Sequence, residues 1–330
     1  MDIRTTCWRN DALAKVTGRS RYADDLKVHG MLHAVPVYTD HVHALLKAVH
    51  TEEAAAMPGV VRVLTAKDVP GTVRWGQIHK DYRMLVDDRI RCWGDVVAVV
   101  VAETRAQAIA ASAKVTVDAD PLPAVLDVEQ ALEPGSPLVH EDHGSNITNK
   151  HQVRRGDADA ALKACDLVLD HVFRTQTIEH AYMEPESAVV IPLASGVMEV
   201  HGSMQHPFST RRFVAALLGV PLHEVDVVGT PMGGGFGGKD DTAAIVCARA
   251  ALAAKLTGRP VKMTYEREWS LRESYKRHPY VVHYEMGLMK DGTIKACRVR
   301  TLADGGAYCS VTPWVTWRST VQCCGPYTVS

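Results

Sequence analysis

Short apolar runs separated by polar turns dominate the first part of the chain. MLHAVPVY (31–38) and DVVAVVVA (95–102) read as strands, and the second is apolar without interruption, which predicts burial on both faces. RAQAIAASA (105–113) has helical spacing, and KVTVDAD (114–120) returns to an extended pattern. The periodicity then lapses. Residues 121–151 hold four prolines and several turn formers, which predicts an extended connector between two domains.

Past the connector, ADAALKACDLVLDHVFRTQ predicts a helix leading into a strand, RRFVAALLG (211–219) a helix closed by glycine, and VDVVGT (225–230) a strand. DTAAIVCARAALAAKLTG (241–258) is an alanine-rich helix that Gly258 and Pro260 end. PVKMTYERE, YVVHYEMGLMKDGTIKACRVRTLADGGAY and the residues beyond them predict strands, with a hairpin turn at Asp291-Gly292.

The chain has 330 residues, 46% hydrophobic and 23% charged, which fits about two globular domains. A net charge of -1 gives no basic excess for nucleic acid. The longest apolar stretch, VVAVVVA, falls far short of the roughly 20 residues that span a bilayer, and the opening DIRTTCWRND has no apolar signal region. These features predict a cytoplasmic protein without a membrane partner. Cys7, Cys92, Cys165, Cys247, Cys297 and Cys309 stand apart, and only Cys323 and Cys324 are adjacent. No zinc or iron–sulfur spacing exists, so reduced structural thiols are expected, with a redox role open for the vicinal pair. His29, His33, His41 and His43 lack the spacing of a metal site.

The chemistry concentrates in TPMGGGFGGKDD, which surrounds Phe236 with five glycines between a strand and a helix. That arrangement aims backbone N–H groups and a helix N-terminus at an anion. Residues 233–239 fit G-x-x-x-x-G-K, yet Asp240 stands where a phosphate loop needs Ser or Thr for magnesium. Gly233, Gly235 and Gly238 fit G-x-G-x-x-G, but the expected acidic residue about 20 positions on is missing; Glu266 lies too far away. From spacing alone, a nucleotide cradle and a purely structural glycine loop both stay open.

GGGFGGK, preceded by GSMQHPFSTRRFVAALLGVPLHEVDVVGTPM, resembles the molybdenum-cofactor subunits of the xanthine dehydrogenase and aldehyde oxidase family. KVTGRSRYADDLKVHGMLHA, MPGVVRVLTAKDVPG, RCWGDVVAVVVAET, PLPAV, IEHAYMEPESAVV and KRHPYVVHYEMGLMKDGTIKACRVRTLADGGAY resemble its successive blocks, in order. The resemblance runs from about residue 10 to the last residue. It implies an α+β fold: an α/β hammerhead domain over 1–125, the connector over 126–152, and the first part of a mixed α+β molybdopterin-binding domain over 153–330.

It further implies that Phe236 and Gly237, flanked by Gly235 and Gly238, lie against the pterin and the metal's oxo group, with no direct metal ligand from this chain. Gln205 in SMQHP matches a glutamine whose amide reaches the same oxo group, a neutral donor that polarises it. Asp240 matches a glutamate that touches substrate in xanthine-oxidising relatives, although a shorter carboxylate in a helix's first turn also suits the macrodipole. Glu184 in MEP is expected to brace the pocket or to form an ordinary strand-end salt bridge.

The implied reaction is hydroxylation of an electron-poor carbon with water-derived oxygen, on an N-heteroaromatic such as a purine or nicotinate, with an aldehyde or an aromatic thioester as alternatives. The implied cofactor is molybdopterin with molybdenum, in its simple form or as a cytosine dinucleotide, with 2Fe-2S and FAD on partner subunits. The family's AFRG-type segment and the GVGE-type loop that carries its glutamate base are not in these 330 residues. No catalytic residue is therefore expected in this chain. A second molybdenum-subunit half, as a continuation or a separate partner, is expected to supply it.

Overall fold

The computed structural model describes residues 9–329, so Cys7 lies outside the described residues. Uninterrupted apolar sequence decides the core. The strand Val96–Ala102 is fully buried along its length. It pairs antiparallel with Leu32–Tyr38 on one side and with Val60–Leu64 on the other.

These three strands do not form a sheet of their own. Leu32 and His33 pair in parallel with Val261 and Lys262, which joins them to four strands from beyond the connector. The resulting seven-stranded sheet runs Val225–Gly229, Met198–Gly202, Ser187–Pro192, Val261–Thr264, Leu32–Tyr38, Val96–Ala102, Val60–Leu64. A second sheet places Tyr280–Leu288 between Leu167–Arg174 and Ile294–Ala303. The Asp291-Gly292 hairpin forms as expected, with Gly292 at φ 86°.

The alanine-rich helix Asp241–Thr257 is buried on every side from Asp241 to Ala254. Small side chains let the helix Pro207–Leu218 and the strands Ser187–Pro192 and Val261–Thr264 approach it closely, and alanine loses no rotamer freedom in doing so. The helix Pro207–Leu218 starts four residues before the expected Arg211. Pro207 takes the first helical position, where its missing N–H costs nothing, and Gly219 closes the helix at φ 63°.

Two stretches expected as strand differ. In PVKMTYERE only Val261–Thr264 is extended, and Arg267–Glu273 is a helix. After the hairpin, Thr312–Gln322 is also a helix, with Pro313 in its first turn. Its Thr, Val and Trp residues favour strands locally, and tertiary packing overrides that preference. Residues 121–151 are irregular apart from short turns at Gln130–Leu132 and Glu141–His143. The connector is held from outside: Asn149 Nδ2 donates to Thr316 Oγ1 at 2.7 Å, and His140 Nε2 lies 2.6 Å from the Ala307 carbonyl. All seven described cysteines are free thiols.

A buried ion pair ties the two sides of the connector together. Arg249, fully buried, contacts Glu273 Oε1 at 2.5 Å and donates to the Met84 carbonyl, Tyr82 OH and Tyr265 OH. Glu273 also accepts from the hydroxyls of Tyr38, Tyr82 and Tyr265. An ion pair taken out of water holds only when its remaining donors and acceptors are satisfied, as they are here. Glu273→Gln leaves the guanidinium without its counter-charge, so we expect a loss of about 3 kcal/mol in equilibrium urea unfolding. A loss below about 0.5 kcal/mol, the size of a surface change, would contradict this account.

Candidate cofactor site

The glycine loop follows the strand Val225–Gly229 and ends at the first turn of the helix Asp241–Thr257. Its shape is imposed from below. Lys239 is fully buried, and its Nζ donates to Glu184 Oε2 at 2.9 Å and to Ser203 Oγ at 2.7 Å, 4.7 Å from the centre of the Tyr182 ring. Glu184 Oε2 also accepts from the Gly233 N–H at 2.6 Å and from Ser203 Oγ at 2.7 Å. Burial pushes the Lys239 ammonium below its ordinary range, and the Glu184 carboxylate opposes that shift. Glu184 is thus both salt bridge and brace: one carboxylate oxygen holds the two ends of the loop.

Gln205 grips the loop from the side. Its Oε1 accepts from Gly237 N at 2.9 Å and from Lys239 N at 3.3 Å, and its own backbone N–H donates to the Lys239 carbonyl at 2.9 Å. With the amide oxygen committed to the backbone, the Nε2 end is the end left to donate elsewhere. The structure brings Gln205 together with Gly235, Phe236, Gly237 and Gly238.

Three glycines are needed for space, and a Cβ on the first, Gly233, would stand 2.6 Å from Glu184 Cβ. A Cβ on Gly235 would stand 2.7 Å from Gln205 Oε1, and one on Gly238 would stand 2.7 Å from the Tyr182 ring and 2.8 Å from His180 Nδ1. Gly234, Phe236 and Gly237 have φ of 110°, 53° and 93°. Phe236, a bulky residue in a conformation that suits glycine, is 78% exposed. Strain of this kind persists only where the surroundings impose it, and it clusters at ligand sites.

Among the described residues, no protein group accepts from the backbone N–H of Gly234, Gly235 or Phe236. Three consecutive free amides beside left-handed residues make a concavity suited to an anion. The residues present fit an oxygen-rich anionic cofactor such as a pterin phosphate or a metal oxo group. They fit a phosphate loop poorly, because the lysine that would reach the phosphates is buried under the loop and spent on Glu184.

Asp240 sits apart from this floor. It is half-buried at the start of the helix, 3.5 Å from His206 Nε2, and accepts from Gln77 Nε2 at 3.2 Å. Burial pushes its carboxyl up, and the neighbouring Asp241 adds to the shift. His29, His33, His41 and His43 build no site: among the described residues no group of three His, Cys, Asp or Glu is arranged for a metal.

Sequence reasoning missed several contributors. His180, Tyr182 and Glu186 line the floor from the same HAYMEPE stretch as Glu184, and the Tyr182 hydroxyl donates to the buried Glu186. The proximity of these positions to the MEP match was an available signal. Ser203 and His206 flank Gln205 closely and could have been found in the same way. Gln77 and Ser310 gave no signal, because they come from remote segments.

Comparison with known proteins agrees with this geometry. A family model described as molybdopterin cofactor-binding domain matches residues 139–330, and the aldehyde oxidase and xanthine dehydrogenase a/b hammerhead domain matches residues 17–123. The nicotinate dehydrogenase large molybdopterin subunit of Eubacterium barkeri is 38% identical over 97% of this chain and 74% of its own length. The xanthine dehydrogenase molybdenum-binding subunit of Escherichia coli O157:H7 is 32% identical, over 92% of this chain and 41% of its own. The solved aldehyde oxidoreductase from Desulfovibrio gigas superposes with a TM-score of 0.83 at 30% identity, over 89% of this chain and 34% of that one. This chain therefore spans between a third and three quarters of the length of these relatives. With a hammerhead model ahead of a molybdopterin-binding model on one α+β fold, the chain belongs to the xanthine dehydrogenase and aldehyde oxidase family of molybdopterin-binding proteins.

Proposed function

We propose that this chain is the molybdopterin-holding part of a multi-subunit molybdenum hydroxylase acting on an N-heteroaromatic, purine- or nicotinate-like substrate. The observation that carries the reading is the glycine loop. Its amides at Gly234, Gly235 and Phe236 have no protein acceptor among the described residues, while Gln205, Glu184 and Lys239 fix the loop. When bound, the cofactor supplies the redox centre and activates water-derived oxygen. The chain's own residues bind and orient. The amides of Gly234, Gly235 and Phe236 donate to the cofactor's oxygens, and Gln205 Nε2 offers a neutral donor at the same edge.

Asp240 is the substrate-facing group of the chain. The catalytic base comes from a second molybdenum-binding half, continuous with this chain or separate from it, the iron–sulfur cluster and the flavin from partner subunits, and the pterin is carried in simple or cytosine dinucleotide form. Nicotinate is favoured as a type of substrate because the Eubacterium barkeri relative, 38% identical, is a nicotinate dehydrogenase subunit. An aldehyde or aromatic thioester is the second reading within the family.

Two measurements test the site. In the chain expressed with its partner subunits, Gly235→Ala should lower bound molybdenum and pterin roughly tenfold, as displacement of a supporting group commonly does, with the circular dichroism unchanged. Metal content equal to the parent's would remove the loop from the site. In the second, excess Mg·ATP should leave Tm where it is. A nucleotide site at a hundredfold excess over Kd would add about 2.7 kcal/mol of stability, and such a rise with no molybdenum bound would favour the phosphate cradle.

A further inference from the structure

Gln77 reaches the loop from a segment 163 positions away from Asp240. Its Nε2 donates to Asp240 Oδ1 at 3.2 Å and to Asp241 Oδ1 at 2.8 Å. A side-chain amide nitrogen carries two hydrogens, so both are spent, one on each carboxyl group.

The two carboxyls differ in what remains to them. Asp241 is buried, and its Oδ2 accepts from Ser310 Oγ at 2.6 Å, with Ser310 itself at a left-handed φ of 44°. Asp240 has one oxygen anchored by Gln77, while its Oδ2 lies 3.5 Å from His206 Nε2, beyond good hydrogen-bond length, and has no hydrogen-bond donor among the described residues. The His206 side chain is 54% exposed and sits next to Gln205 in the chain, so the cofactor edge and the free carboxyl oxygen are served by adjacent residues.

We propose that Gln77 is a positioning residue for substrate: it anchors Asp240 through Oδ1 so that Oδ2 is presented to a hydrogen-bond donor, a ring N–H or hydroxyl, which displaces His206. The inference rests on the reading of Asp240 as a substrate contact. Gln77 donates to the ionised form and so favours it, against burial and the Asp241 charge, with His206 acting in the same direction as Gln77. Asp241 is raised mainly by burial, with Ser310, Gln77 and His206 opposing, and Tyr275 and Cys309 also face it. Without the Gln77 amide, Asp240 takes up its proton at higher pH. A protonated carboxyl is the poorer acceptor for a substrate donor.

The test uses the assembled enzyme, with Gln77→Ala and the shape-conserving Gln77→Met, each first checked for unchanged molybdenum content; Gln77→Met stands in if the alanine variant fails to fold. The Asp240 carboxyl band in infrared titration, identified by its loss in Asp240→Asn, should move to a higher midpoint in both variants. KM for whichever of xanthine and nicotinate is turned over should rise about tenfold, with kcat within about twofold, as misplacing a charged acceptor of a substrate hydrogen bond predicts. A band midpoint that stays in place overturns the anchoring. A shifted midpoint with KM untouched by both Gln77→Ala and Asp240→Asn removes Asp240 from the substrate, and the proposal falls with that reading. The molybdenum assignment is judged separately, by metal content.

Discussion

The site depends on one buried charge pair. Lys239 carries an ammonium at zero exposure, a state that only a close carboxylate and a full set of hydrogen bonds make tolerable. Glu184 supplies the carboxylate, Ser203 Oγ the second acceptor and the Tyr182 ring the third side, and with the same oxygen Glu184 takes the Gly233 N–H at the other end of the loop. Pinning both ends forces the intervening residues into left-handed turns. The middle amides, of Gly234, Gly235 and Phe236, have no protein acceptor among the described residues. The lysine thus shapes the backbone of the loop, and its charge stays buried beneath it.

The rest of the wall is assembled from distant segments. Tyr182 and His180 come from the stretch before the strand Ser187–Pro192, Gln205 and His206 from the start of the helix Pro207–Leu218, Gln77 from the N-terminal side and Ser310 from beyond the hairpin. Their mutual placement requires the two sides of the connector to be one body at this point. The Arg249–Glu273 pair, with three tyrosine hydroxyls on the carboxylate, meets that requirement across the shared sheet.

Much of this was legible because it is local. An unbroken valine run between turn signals reads as a buried strand, an alanine-rich period as a packed helix, and five glycines around one phenylalanine as a loop whose use the spacing leaves open. Gln205 and Glu184 were legible through the family blocks that contain them. The long-range contacts stayed hidden. Nothing in GQIH marks Gln77 as the partner of two aspartates 163 and 164 positions away. The helix Thr312–Gln322 was hidden for a related reason, since its β-branched and aromatic residues argue for a strand until the connector is packed against it. The parallel pairing of Leu32 with Val261 likewise has no signature in either strand.

That pairing constrains how the protein is made. The strand Leu32–Tyr38 needs Val261–Thr264 beside it, and more than two hundred residues must be synthesised in between. At about 5–20 residues per second the ribosome takes tens of seconds to deliver that neighbour. Throughout that interval the nascent N-terminal strands keep an open edge, the kind of surface that invites mispairing with another chain. Yield in a heterologous host should therefore be limited by chaperone supply during translation, and slowing synthesis by cooling prolongs the vulnerable period as well as weakening the hydrophobic drive to mispair.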